Sequence, residues 1–449
     1  MAHEALRTLL AALEVLRPAF TKPGFDNLVV IFAGWVLTSG THAVTQALVA
    51  TGVAGRRHHE AFHRFFSRGT WDPDEVGRLL FFWILQRVGE GAPIRVVLDD
   101  TLAPKKGPNV FGIGTHKDPV RTTRRHIVFT FGHCWVVLAV LLPVPFSART
   151  FALPVLFRLH RTVKTCERSG HPHRKKTELA RDMLDVLASW SGSRRVEVAA
   201  DSAYCNDTVS RGLPPNFVVF GSMRTDAVLT GAPPALFHRP CGRPLKRGRP
   251  LPKPHELADD VRSPWLRCQA DLYGRRRTIH YKTMNAQWYR AWGARLLRVV
   301  VVRVDEGEIG MRVFFCSDPT MTVTDILETY AERWAIEVCF RELKQLLGFA
   351  DSSARKRAAV ERLAPFVGFV YSTLVLWFAL GVHQTPIATP PVRPWYRHKR
   401  GLCFADTLRA AQRTLAPFDV LDPRRSLANL RKSARRHPNP LGFRPPAVA

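Results

Sequence analysis

Acidic residues are scarce in this chain: Asp and Glu number 37 among 449 residues, against 66 Lys and Arg, which leaves a formal net charge of +29. A soluble chain that basic usually works against a polyanion, most often nucleic acid. A basic amphipathic helix long enough to lie on a membrane is missing, which removes the other common partner of such charge. The eight cysteines (Cys134, Cys166, Cys205, Cys241, Cys268, Cys316, Cys339, Cys403) contain no C-x-x-C pair. That argues against a structural zinc module and a disulfide framework, and fits a reducing cytoplasm. MAHEALRTLLAALEVLRPAF carries charges throughout and lacks a signal-peptide core, so a cytoplasmic, nucleoid-associated location is expected. Long apolar runs are also scarce. FVGFVYSTLVLWFALGV (366–382) is uncharged and only reaches the lower limit of a membrane span. It follows a charged helical stretch without a turn, and reads as a core helix behind a sheet. Internal repeats are absent.

What is present suggests two or three domains, because the length exceeds one ordinary core and 46% of residues are hydrophobic. Residues 1–92 read as helical, and a glycine-containing turn separates two segments before HHEAFHRFF. Arg56, Arg57, Arg64 and Arg68 crowd the second segment, the composition of a helix-turn-helix recognition element. HEAFH (59–63) also matches the zinc-protease pattern H-E-x-x-H. No convincing third ligand follows it, and four nearby arginines disfavour Zn²⁺ while suiting phosphate. A DNA-facing helix is therefore expected there, not a protease site.

From residue 93 the pattern changes to mixed α/β. IRVVLDD (94–100) is a β-branched run ending in two carboxylates, and RHIVFTFGHCWVVLAVLL (125–142) reads as two strands. RKKTELARDMLDVLASW (174–190) has helical spacing, and RRVEVAADSAY (194–204) is a strand ending on aspartate. Strands, a helix, then strands indicate a mixed sheet over 93–224. Residues 225–322 are irregular and then strand-rich, residues 323–390 hold one long helix from about Val323 to Leu347 and the apolar helix, and 391–449 form a basic Pro/Arg-rich tail.

Two strands thus end in aspartate, at Asp100 and Asp201, and the long helix presents Glu337. Phosphodiester hydrolysis needs acidic oxygens holding two Mg²⁺ about 4 Å apart, one activating water and one stabilising the leaving oxygen. Carboxylates on strand tips, completed by one from a helix, can provide that cage. On a continuous helix Tyr330, Arg333, Glu337 and Lys344 fall along one stripe, so a carboxylate is flanked by groups that grip phosphate. A solvated, salt-bridged helix has the same composition.

The stretch YAERWAIEVCFRELKQLLGF resembles the Tyr-Arg-Glu-Lys signature of DDE transposases of the insertion-sequence-four superfamily. LDDTLAPKKG is similar to the segment around that family's first aspartate, and VAADSAYCNDTV to the one around its second. The resemblance spans roughly residues 90–385 and implies an RNase H-like core. It further implies an all-helical DNA-end-binding domain before that core, and a β-rich insertion between the fifth strand and the glutamate helix. By the same resemblance Asp100, Asp201 and Glu337 would hold two Mg²⁺, for which Mn²⁺ can substitute. Tyr330, Arg333 and Lys344 would hold the DNA end, joined by Arg341 and by Lys105 and Lys106 after the first aspartate. Asp99 competes for the first position, since strand alternation lets only one of the pair face the metals. Asp100 is chosen because the family aspartate immediately precedes a threonine, here Thr101. Ser202 stands where family members often carry arginine.

The activity implied is Mg²⁺-dependent cleavage at transposon ends and strand transfer into target DNA, by a homodimer on double-stranded DNA. The alternatives are a nuclease with the same site and no strand transfer, or a silent DNA-binding descendant. Two smaller signals concern DNA. Arg247 and Arg249 in KRGRP (246–250) match an arginine-glycine-arginine core that enters narrow minor grooves. Trp288 and Trp292 lie in the inserted region, where family members hold a flipped base with aromatics.

Overall fold

The computed structural model describes residues 2–123, 125–233, 245–303, 310–392, 394–395 and 401–418. Five helices come first: α1 (Ala2–Glu14), α2 (Lys22–Leu37), α3 (Val44–Ala50), α4 (Glu60–Ser67) and α5 (Pro73–Leu85). Thr21 and Asp72 begin α2 and α5 as side-chain caps, each followed by proline in the first turn, where a missing N–H costs nothing. Four strands follow, β1 (Ile94–Pro104), β2 (Gly114–Lys117), β3 (Phe129–Pro143) and β4 (Thr150–His160). Next come α6 (Val163–Ser169), α7 (Lys176–Ser191), β5 (Val196–Ala200), α8 (Asp207–Ser210) and β6 (Phe217–Ser222).

The chain continues through β7 (Leu229–Thr230), β8 (Pro250–Leu251), α9 (Pro254–Asp259), β9 (Leu266–Leu272), β10 (Arg275–Gln287), α10 (Tyr289–Trp292), β11 (Leu296–Arg303) and β12 (Arg312–Cys316). It closes with α11 (Val323–Glu332), α12 (Trp334–Leu346), α13 (Arg357–Ala379) and α14 (Phe404–Leu415).

Among the described residues, twelve strands join one mixed sheet. β1 is central in its half: it pairs antiparallel with β3 and parallel with β5, and β5 pairs parallel with β6. Ile94, Val96, Val97 and Leu98 are all buried, as expected of a strand covered on both faces. β3 was expected as two strands and is one, because partners line both of its edges. Gly132 pairs with Pro104 of β1 on one edge and with Gly114 of β2 on the other, where β4 then takes over from Cys134 onward. The strand-rich segment after residue 225 extends the same sheet, since β12 pairs antiparallel with β6.

The apolar helix α13 is buried along most of its length against α5, α1, α4 and β4. It is long and apolar enough to cross a membrane, yet 89% of its most apolar window is buried inside the protein. Close approach is secured by glycine: a Cβ at Gly368 would sit 2.3 Å from the Phe157 ring of β4. The N-terminal helices share this core, and Trp377 of α13 donates its indole N–H to the Ala5 carbonyl at 3.1 Å. Within the expected tail, α14 is an amphipathic core helix packed on α1, α2 and α13. The remainder of that basic tail, residues 419–449, lies outside the described residues.

Candidate active site

The parallel register of β1 and β5 sets the first relationship. Leu98 is level with Ala200, the last pair of the β1–β5 ladder, so Asp201, just past the carboxyl end of β5, stands beside Asp99 at the point where β1 runs on beyond β5 toward Pro104. That edge of an α/β sheet is where ligands usually bind.

Glu337 reaches the same place from the first turn of α12, where the helix dipole favours a negative charge. The expected single helix from Val323 to Leu347 is interrupted at Arg333, which separates α11 from α12. The Arg333 N–H bonds the Tyr330 carbonyl at 3.1 Å, an i−3 contact of the tighter 3₁₀ type. This break turns the guanidinium into the cleft. Its Nη1 donates to Asp99 Oδ2 at 2.9 Å and its Nη2 to Glu337 Oε1 at 2.8 Å. The Tyr330 ring lies 5.8 Å away.

Asp99 and Asp100 face opposite ways, as pleating requires. Asp99 looks toward Arg333, Glu337 and Asp201. Asp100 looks toward α7 and the outer strands: it accepts from Lys176 Nζ at 2.7 Å, from the Tyr204 hydroxyl at 2.7 Å and from the Cys134 thiol at 3.4 Å. The expected trio of Asp100, Asp201 and Glu337 is therefore not assembled on one face, and Asp99 takes the first position in the geometry. Burial pushes the Asp99 carboxyl up to about 7; Arg333 and the Asp100 N–H oppose this, while the charges of Asp100 and Asp201 add to it. Burial also works against ionisation of Asp100, but Lys176, Tyr204 and Cys134 outweigh it and hold its pKa low. Burial alone would lower the pKa of Arg333, yet Tyr330, Asp99 and Glu337 keep it raised.

Beside the carboxylates opens a cleft of about 940 Å³, lined among others by Asp201, Arg224, Tyr273, Tyr330, Arg333 and Trp334. Its outer wall is the β9–β10 hairpin, whose turn Tyr273–Gly274 has positive φ at both residues, 54° and 75°. Such a turn matches the strand twist but strains tyrosine. Tyr273 and Trp334 are both exposed, with ring centroids 6.3 Å apart.

The other expected DNA contacts fall into two groups. Arg341, Lys344 and Lys106 are exposed, as are Arg56, Arg247 and Arg249. Arg57 is exposed, its guanidinium 5.1 Å from the Phe62 ring, and Arg64 pairs with Glu60 at 2.9 Å. Lys105 is spoken for: its Nζ donates to the carbonyls of Ala350 and Ser352 at 2.8 and 2.7 Å. Trp288 is half-buried 5.8 Å from Phe315, and Trp292 is buried against the same ring, so both pack the sheet. In HEAFH, Phe62 packs into the core while His59 and His63 meet edge to face at the surface, 5.7 Å apart, and they belong to no metal-ligand group among the described residues. Lys176, Tyr204, Tyr273 and Trp334 escaped the sequence reading, because each meets its partners across the fold; strand alternation signalled only that Asp99 and Asp100 face opposite ways.

Residues 16–290 match the family described as DDE superfamily endonuclease, and residues 292–381 match the family described as archaeal putative transposase ISC1217. Among solved structures, a piggyBac transposase synaptic complex with hairpin DNA is similar over 95% of this chain and 78% of that one, at 11% identity and a TM-score of 0.42. A likeness that distant carries no argument. No curated protein matches the chain.

Proposed function

Because the chain belongs to the DDE superfamily of endonucleases and is a transposase that cleaves DNA, we propose that it acts at transposon ends by a cut-and-paste reaction, with Asp99, Asp201 and Glu337 as its three carboxylates. The observation that carries this reading is the fork of Arg333 between Asp99 and Glu337, with Asp201 beside them. The strand order β4-β3-β1-β5-β6, antiparallel on one side of β1 and parallel on the other, supports an RNase H-like core. In this reading residues 1–92 and the β-rich stretch 225–322 are the end-binding and inserted regions, and the basic tail follows.

By donor type the residues present fit a divalent metal, and with Arg333 lying between Asp99 and Glu337 the three carboxylates have yet to close into one metal-sized group. The donors are all carboxylate oxygens, which suit Mg²⁺, with Mn²⁺ able to substitute. The carboxylates are close enough that the protein's own guanidinium neutralises two of them. Bound Mg²⁺ would supply Lewis-acid activation of water and charge stabilisation at the leaving oxygen. Asp99 and Asp201, fixed by the β1–β5 register, and Glu337, fixed by α12, would hold it. Arg333 would then exchange its carboxylate partners for a phosphate of the DNA end, a bidentate contact guanidinium makes well. Tyr330 on α11 lines the cleft, and the exposed Lys344 and Arg341 on α12 would help to position the strand. A 3′-hydroxyl released at each end would attack target DNA, and two ends call for a homodimer on double-stranded DNA. The work would be done on the nucleoid of a reducing cytoplasm, consistent with the lack of a disulfide among the described cysteines.

The test is a labelled duplex carrying the element's own end, incubated with Mg²⁺ and either wild type or Glu337→Gln. Cutting by wild type, with binding but no cutting by the variant, supports the site. Equal cutting by both removes Glu337 from it. Cutting without joining to a target duplex favours the nuclease without strand transfer.

A further inference from the structure

The face of β1 opposite the carboxylate trio holds a second cluster. His116 lies on β2, Cys134 on β3 and His160 at the end of β4, and their nitrogen and sulfur donors all lie within 4.8 Å of one another. The sheet topology explains the meeting: β2 and β4 follow one another along the same edge of β3, and His160 is the register partner of Cys134. His116 is 6% exposed and Cys134 fully buried. His116 Nε2 and His160 Nδ1 are buried without any hydrogen-bond partner, although buried polar atoms nearly always find one. Asp100 stands next to the sulfur at 3.4 Å.

We infer that His116, Cys134 and His160, with Asp100 alongside, form a second metal centre that takes a borderline transition-metal cation, Zn²⁺ first among them, and is separate from the carboxylate trio. Two imidazoles and a thiolate select Zn²⁺ over Mg²⁺. Three protein donors leave one tetrahedral position open, which water could fill, or Asp100 if it released Lys176 and moved in from beside the sulfur. Bonds of about 2.0–2.3 Å put tetrahedral donors roughly 3.4–3.7 Å apart, so these side chains draw together by about 1 Å on loading. The Cys134 thiol loses its proton to solvent as the metal–sulfur bond forms. Both histidines are already neutral, with pKa values pushed down to about 4 by burial and then by the Lys176 charge, so they present lone pairs. Lys176 now supplies the cation opposite Asp100, and is the group a metal displaces. The centre ties β2, β3 and β4 together directly behind Asp99. It is a structural site with one donor from each of three neighbouring strands, which explains why no C-x-x-C pair announces it.

The test uses tag-free, full-length protein. Zinc is measured by mass spectrometry after dialysis, and the chelator-stripped protein is titrated with Co²⁺ while its spectrum is recorded. About one zinc per chain and a thiolate-to-cobalt charge-transfer band are expected. Cys134→Ser should lose the band and His116→Gln the bound zinc, whereas His63→Gln in the surface HEAFH stretch should keep both. Wild type without the cobalt–thiolate band overturns the proposal, as does a Cys134→Ser protein that retains full zinc. Should the variants not fold, the wild-type cobalt spectrum decides alone.

Discussion

Arg333 donates to Asp99 at 2.9 Å and, through its other terminal nitrogen, to Glu337 at 2.8 Å, so one guanidinium joins the middle of β1 to the start of α12. Neighbouring Asp100 takes no part and is held by Lys176 and Tyr204 instead. The two adjacent carboxylates should therefore respond differently to the same change. Asp99→Asn is expected to reduce end cleavage by at least about 10²-fold, the scale of disturbing a metal's ligand shell. Asp100→Asn should leave cleavage within about tenfold but lower stability by about 1–3 kcal/mol, because Lys176 and Tyr204 lose a charged acceptor. Cleavage rates and thermal melts of both variants check this, and the reverse ranking would return the first ligand to Asp100.

The fork also makes Arg333 a competitor for any cation at the trio. Arg333→Gln should raise the affinity of the DNA-free protein for Mg²⁺ by about three- to tenfold, since a charge within contact distance is removed. The same variant should cut DNA more slowly, having lost its phosphate grip. Calorimetric Mg²⁺ titration beside a cleavage assay separates the two effects. Weaker Mg²⁺ binding by the variant would mean that Arg333 organises the carboxylates and does not compete with the metal.

How much of this was legible beforehand depends on the range of the interaction. The alternation in LDDT shows that only one of Asp99 and Asp100 can face the cleft, but the choice is made by Arg333 on one side and Lys176 on the other, both remote in sequence. The helical stripe through Tyr330, Arg333 and Glu337 was readable as a pattern. The break at Arg333 was not, because no proline or glycine marks it. Trp288 and Trp334 look equivalent as sequence. Phe315 on β12 covers Trp288, whereas the β9–β10 hairpin leaves Trp334 open. The mixed α/β class followed from local periodicity, while the pairing of β2 and β4 along one edge of β3 is non-local and left no trace.

Lys105 offers a pH test well away from the chemistry. Burial lowers its pKa to about 8 against the opposing charge of Asp351, and its ammonium is spent on the carbonyls of Ala350 and Ser352. The unfolded chain holds this proton up to about pH 10.4. Between about 8 and 10.4 the unfolded state thus binds more protons, so this group makes stability rise with pH, by up to about 1.4 kcal/mol per unit. Below about 8 both states are protonated and the contribution is flat. Lys105→Met should remove that slope from the difference between wild-type and variant unfolding curves. An unchanged slope would place the lysine in solvent and return it to the DNA contacts.

The exposed pair Tyr273 and Trp334 stands at the mouth of the cleft, while Trp288 is covered by Phe315, and this separates two ways an aromatic can matter. A base drawn from the DNA end into the cleft would find a stacking surface on Trp334, a contact that typically contributes about 1–3 kcal/mol per base. Trp334→Ala should then weaken binding of a duplex end with an unpaired terminal base by roughly ten- to a hundredfold, with little change in thermal stability because that ring is half exposed. Trp288→Ala should do the opposite: it opens a void against the sheet and lowers stability by about 2–4 kcal/mol, leaving end affinity in the surviving folded protein nearly unchanged. A fluorescent adenine analogue at the terminal position reads stacking directly. Quenching that survives Trp334→Ala and disappears with Trp288→Ala would reverse the assignment, because a half-buried ring could stack a base only if the sheet edge around Phe315 opened on DNA binding.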